Sequence, residues 1–107
     1  MHETLNDIQK SVSLQIARDY KDRNENEMVY LMVAGLTEEA GEVSGLVKRT
    51  LRNFEKDQSA QNINRWVEEL GDVLWYVTAV ASIMDIPLEY IWEQNCKKLE
   101  ARYGGLN

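Results

Sequence analysis

Apolar residues recur along the chain at intervals of three and four rather than in alternation, which predicts an all-α protein. A first helix is expected from Thr4, whose side chain can cap while Asp7 sits in the first turn, along a stripe of Leu5, Ile8, Val12, Ile16 and Tyr20, ending by Asn24. A second covers Glu27 to Arg52 with Met28, Met32, Leu36, Ala40, Val43 and Val47 inward, and the polar run Asn53–Ala60 after it reads as a mobile loop. A third runs from Gln61 to Met84 on Ile63, Trp66, Leu70, Val73, Leu74, Val77, Ala81 and Met84. Pro87, the single proline, suits the start of a fourth helix reaching Arg102 on Leu88, Ile91, Trp92 and Leu99, and Tyr103-Gly104-Gly105 supplies a stop.

No internal repeat is visible, and 107 residues fit one domain, residues 1–107, in a four-helix bundle-like arrangement with helices two and three as its long central antiparallel pair. A bundle of this size buries only about 60 to 65% of its unfolded surface. Trp75, Tyr76, Tyr90 and Trp92 do not all fit around one thin core, so some are expected in a subunit interface, making the protein oligomeric.

Composition narrows the chemistry. Cys96 is the lone cysteine and His2 the lone histidine, which removes disulfide frameworks and His-ligated zinc. With 18 acidic against 12 basic residues and a net charge of −6, the surface should repel nucleic acid and anionic lipid, so neither is an expected partner. Met1–Asn6 has neither a basic start nor an apolar core, and no apolar run approaches the roughly 20 residues of a membrane span, so a cytoplasmic protein is expected.

Acidic residues sit beside apolar ones on both long helices. At about 100° per residue with Leu36 as zero, Ala40, Val43 and Val47 fall within about 40°, Glu39 near −60° and Glu42 near −120°, with Leu46 and Met28 between the two acids. On the third helix, Glu69 lies near −100° from Leu70, flanked by Val80 and Tyr76, and Asp72 near −160°. If the helices are antiparallel neighbours, the i, i+3 pairs Glu39/Glu42 and Glu69/Asp72 converge at the edge of the buried face. Four carboxylates in one cleft repel one another unless they bind cations or have raised pKa values, and oxygen-only donors favour Mg²⁺, with Mn²⁺ as a substitute. Helical spacing alone does not separate such a site from a solvated acidic face. Glu68 points away from the apolar flank and serves as a comparison; Glu38, about 40° beyond Glu42, can join the site.

The segments Glu38-Glu39-Ala40-Gly41-Glu42 and Glu69-Leu70-Gly71-Asp72, with residues 43–68 between them, resemble the EExxE…ExxD signature of the MazG-like all-α nucleoside triphosphate pyrophosphohydrolases. Asn95, Lys98, Leu99, Arg102 and Tyr103 are similar to that family's N-x-x-K-L-x-x-R-Y segment. The resemblance covers about residues 30–105 and implies a dimeric or tetrameric helical enzyme. Its reaction would be hydrolysis of a nucleoside triphosphate between the α and β phosphates, giving the monophosphate and pyrophosphate in nucleotide-pool house-cleaning.

Position by position, the resemblance assigns Glu39, Glu42, Glu69 and Asp72 as Mg²⁺ ligands, Glu38 to a second ion or the attacking water, and Asn95 and Lys98 to substrate. Lys48 and Arg49, one to two turns past Glu42, can reach a triphosphate but read equally well as partners of nearby acids or of the helix C-terminus, and of the two Lys48 is kept as the phosphate candidate. The last helix is expected to contribute to a neighbouring subunit's cleft. A rival reading is a non-catalytic helical interaction or regulatory module with solvated acids and an aromatic interface. A redox di-metal carboxylate bundle would want Glu-x-x-His ligands that this sequence lacks.

Overall fold

A computed structural model of the chain describes residues 3–104, so Met1, His2 and the Gly105 of the expected stop lie outside it. Four helices follow one another: α1 (Leu5–Asp19), α2 (Glu25–Arg52), α3 (Ile63–Ile83) and α4 (Leu88–Tyr103), with a short 3-10 turn, Ser59–Gln61, before α3. The all-α expectation holds among the described residues. No single helix there is long and apolar enough to cross a membrane.

The helix ends follow from local hydrogen bonds. Thr4 and Asp7 form a reciprocal capping box, each backbone N–H donating to the other's side chain at 3.1 Å. α2 begins two residues earlier than expected because the Asn24 side chain accepts from the Glu27 N–H at 2.8 Å. α3 begins two residues later because Ser59–Gln61 takes a 3-10 turn and Asn62 becomes the cap. It ends where Asp85 adopts a left-handed φ of 58° and the Ile86 N–H reaches back to the Ala81 carbonyl at 2.8 Å. The chain then turns, and the axes of α3 and α4 diverge by 106°. Gly104, φ 60°, closes α4 as its sequence predicts.

α2 and α3 form the central antiparallel pair. Residues later in α2 meet residues earlier in α3: Gly35 lies against Tyr76, and Glu39 meets Asp72 and Glu69. α1 runs antiparallel to α3, tied by the Trp75 indole N–H donating to Gln15 at 2.8 Å. Val12, Ile16, Met32 and Ala79 form the core under Trp75, Tyr76, Val80 and Ile83. Full burial of Val12 and Ile16 contributes about 1.5–3 kcal/mol each. α4 packs chiefly on α1 rather than closing over the central pair. Gln9 fixes this joint, its side-chain amide donating to the Ile86 carbonyl and accepting from the Leu88 N–H, both at 2.8 Å.

Two expectations change. The segment after α2 is anchored rather than loose: Asp57 pairs with Arg49 at 3.6 Å and accepts from the Ser59 N–H, the Ala60 N–H donates to Thr50, and the Trp66 indole donates to the Ala60 carbonyl. The buried faces are also rotated. On α2, Met32 is buried as expected, but farther along Leu46 and Thr50 are buried while Ala40 and Val47 stay exposed; on α3, Leu70 and Leu74 are about half exposed. On α2 the flank carrying Glu39 is the one turned to α3, and Thr50 lies beneath the Ser59–Gln61 turn, which leaves the expected inward stripe of α2 bare. Trp75 and Tyr76 pack against the core, whereas Tyr90 and Trp92 are exposed.

Candidate metal centre

Glu39 stands at the middle of the α2–α3 contact rather than at its edge, since Met32 and Leu46, buried on either side of it along the helix, share its face. Across the contact, α3 presents Glu69 and Asp72 from successive turns. Carboxylate oxygens of Glu39, Glu69 and Asp72 all lie within 4.8 Å of one another, the first two residues half-buried and the third exposed. An α-helix brings i and i+3 side chains to one face, so two helices supply three oxygen donors to one point without any loop.

The electrostatics match the geometry. Partial burial first, then the negative charges of Asp72, Glu69, Glu38 and Glu42, push the Glu39 carboxyl above the usual range. The Tyr76 phenol is pushed up as well, by burial and then by Tyr20, Glu39, Glu38 and Asp72. Uncompensated negative charge gathered in a half-buried cleft is the condition a hard divalent cation relieves, and an oxygen-only donor set fits Mg²⁺ or Mn²⁺.

Around the acids, Tyr20, Trp75 and Tyr76 wall a cleft of about 280 Å³ that contains Glu39 and Asp72. The Trp75 and Tyr76 rings meet edge to face, centroids 5.1 Å apart. Beyond the tyrosines a second cavity of about 390 Å³ opens, bordered by Arg23, Leu31, Met32 and Glu38.

The remaining sequence-derived candidates are distributed as follows. Glu42 is exposed one turn past Glu39, outside the three-carboxylate group but close enough to raise Glu39. Glu38 borders the second cavity. Lys48 is exposed farther along α2, and Arg49 is taken up by Asp57. Asn95 and Lys98 border a separate hollow of about 340 Å³ with Ile86, Tyr90 and Ile91 on α4. The chain therefore brings Glu39, Glu69 and Asp72 together, with Glu38 and Glu42 at their margin, and keeps the α4 pair apart from them.

Sequence reasoning missed Arg23 and Tyr20; Tyr76, with Trp66, Trp75 and Trp92, was legible as an aromatic that could stack on a base or equally serve the core or an interface. Tyr20 was legible only as the last member of an apolar stripe. What the sequence did not display is the close approach of Tyr76 to Gly35 across the helix pair.

Comparison with known proteins adds the following. Residues 29–105 match the family described as the MazG nucleotide pyrophosphohydrolase domain, a span that contains all the acids of the centre together with Asn95 and Lys98. Over 68 residues, 64% of this chain, the sequence is 38% identical to the Gene 37 protein of Mycobacterium phage L5, of whose length it spans 60%. No solved structure matches.

Proposed function

Since the chain belongs to the MazG nucleotide pyrophosphohydrolase domain family, we propose that it is a Mg²⁺-dependent nucleoside triphosphate pyrophosphohydrolase, converting (d)NTP to (d)NMP and pyrophosphate in nucleotide-pool house-cleaning. The observation that carries this reading is the convergence of Glu39, Glu69 and Asp72 from two helices within 4.8 Å, at a point where charge repulsion already burdens Glu39.

Glu39, Glu69 and Asp72 would hold the ion, with Glu42 positioned to complete the set or serve a second one. When bound, Mg²⁺ neutralises the triphosphate and stabilises the charge that develops on departing pyrophosphate. Glu38, which borders the second cavity next to Glu39 in the chain, would accept a hydrogen bond from the attacking water and orient it. Lys48 offers a cation to the phosphate tail.

Asn95 and Lys98 enter this scheme through a second copy of the chain. The protomer exposes 8118 Å², against about 6,100 Å² expected for a closed monomer of its mass. Its radius of gyration is 16.7 Å, against about 13 Å for a compact chain of this length. The bare stripes of Val33, Val47 and Leu51 on α2 and of Val67, Leu70 and Leu74 on α3 are the apolar part of that excess. An excess of about 2,000 Å² per copy is ample for a stable homodimer, or for a homotetramer built from two such contacts. In that assembly α4 of one copy delivers Asn95 and Lys98 to the acids of the other.

The test is a panel of ribo- and deoxynucleoside triphosphates with Mg²⁺ and with EDTA, resolving monophosphate plus pyrophosphate from diphosphate plus phosphate. Monophosphate and pyrophosphate, lost with EDTA, are expected. Silence across the panel, with no Mg²⁺-linked stabilisation, would instead favour an interaction module.

A further inference from the structure

The two cavities beside the acids differ in character and share a wall. The smaller holds Glu39 and Asp72; the larger, of about 390 Å³, has no member of the three-carboxylate group. Tyr20 and Tyr76 border both. A triphosphate gripped through a cation in the first cavity would extend its nucleoside into the second, past two aromatic rings and onto the exposed Leu31. Flat apolar walls suit a heterocycle, and a cavity of this volume accommodates a nucleobase with its sugar.

Two charged side chains border the larger cavity: Glu38, an acceptor that the hydrolase reading assigns to the attacking water at the phosphate end, and Arg23, which offers only hydrogen-bond donors. Its position is fixed from two sides. Its backbone N–H donates to the Tyr20 carbonyl at 3.1 Å, so the turn that places the Tyr20 ring also places Arg23. Its guanidinium pairs with Glu27 one helical turn further on, at the start of α2. Arg23 is half exposed, so the guanidinium keeps donors free for a ligand.

We propose that the cavity bordered by Tyr20, Arg23, Leu31, Met32 and Tyr76 is the nucleobase site, and that Arg23 selects bases carrying an exocyclic carbonyl, guanine, uracil and thymine, over the amino bases adenine and cytosine. A guanidinium donates and does not accept, so it satisfies a carbonyl at that edge and opposes an amino group, whose hydrogens would face its own. Guanine, with its adjacent O6 and N7 acceptors, is the best match to the fork. This inference rests on the hydrolase reading for the phosphate end alone.

Binding of α,β-imido analogues of dGTP, dTTP, dATP and dCTP, measured by isothermal titration with Mg²⁺, tests the site without turnover. Wild-type protein should bind the keto pair about tenfold more tightly than the amino pair. Arg23→Met, which keeps the aliphatic stem and removes the donors, should erase that difference. Glu27→Gln, which frees Arg23 from its ion pair, should preserve it. Equal affinities in the wild type would overturn the assignment, as would Arg23→Met weakening all four analogues alike, the result expected of a phosphate contact. No binding of any analogue would overturn the site as well. Keto-selective binding without hydrolysis of the parent triphosphates leaves the base site standing and removes the hydrolase reading; hydrolysis without base preference does the reverse.

Discussion

The ring of Tyr76 lies so close to the backbone of Gly35 that a Cβ built on the glycine would stand 2.1 Å from Tyr76 Cε1. That approach draws α2 and α3 together one turn from the acids and lays the phenol beside Glu39. Gly35→Ala should therefore push the ring aside and destabilise the protein by about 1–3 kcal/mol. Gly41→Ala, where nothing lies within 4 Å of the new methyl, should stabilise the same helix by about 0.5–1 kcal/mol. Urea unfolding of the two variants checks the contrast, and equal effects would mean that the contact does not constrain the helix pair.

Removing a ligand should separate catalysis from stability. Glu39→Gln relieves the repulsion from Asp72 and Glu69, so without metal it should melt above the wild type, while turnover falls by more than about 100-fold, the upper end of what losing an outer partner costs a metal site. Mg²⁺ should raise the melting temperature of the wild type and leave the variant unmoved. Glu68→Gln, on the exposed face of α3, should stay within about 0.5 kcal/mol of wild type and keep its activity. Thermal melts with and without Mg²⁺, alongside pyrophosphate release, read all of this.

Gln9 holds the α3–α4 joint by two hydrogen bonds at once, and Gln9→Ala leaves the Ile86 carbonyl and the Leu88 N–H unpaired in a half-buried setting. The expected cost is about 1–3 kcal/mol. Hydrogen exchange should accelerate at the start of α4 and not in the α2–α3 pair; uniform acceleration would show that the joint carries no local role.

Asp85 occupies the left-handed region at the end of α3. Asp85→Gly removes a Cβ that this conformation disfavours and should stabilise by about 0.5–1 kcal/mol, short of the full left-handed penalty because asparagine and aspartate tolerate it better than other side chains. An increase in the urea midpoint at unchanged slope is the expected result.

Acid should weaken the first helix through Asp7. The Thr4 backbone N–H and hydroxyl hold its carboxyl below the ordinary 3.8, so the folded state favours the charged form. That stabilisation is complete above the unfolded value and is lost as the pH falls through the lowered one. The stability difference between wild type and Asp7→Ala should thus be larger at pH 7 than near pH 3, by urea titration at both.

Much of this fold is legible locally. Thr4 with Asp7, the single Pro87 and Gly104 mark helix ends through interactions spanning a few residues, which a sequence displays directly. The acids were legible as pairs that converge on two antiparallel helices, but periodicity put Glu39 at the edge of the buried face; the docking of α3 decides which of two apolar flanks of α2 is covered, and it covers the one with Met32, Glu39 and Leu46. The anchoring of residues 53–62 was invisible because Thr50, Asp57 and Ala60 are ordinary polar or small residues until the chain folds back. Asn95 and Lys98 depend on where α4 points, and the turn that sets its direction takes its geometry from Gln9, 77 residues away from Ile86.

That separation bears on how the chain is born. During synthesis α1 emerges first, but the partners of Gln9 follow 77 and 79 residues later. The helix must leave the ribosome with this side chain unsatisfied and wait, while α2 and α3, neighbours along the chain, find each other and assemble the acids. The joint between the first and last helices is then among the final contacts to form, and a nascent chain stalled before Ile86 would already contain the three carboxylates while lacking the anchor that orients its last helix.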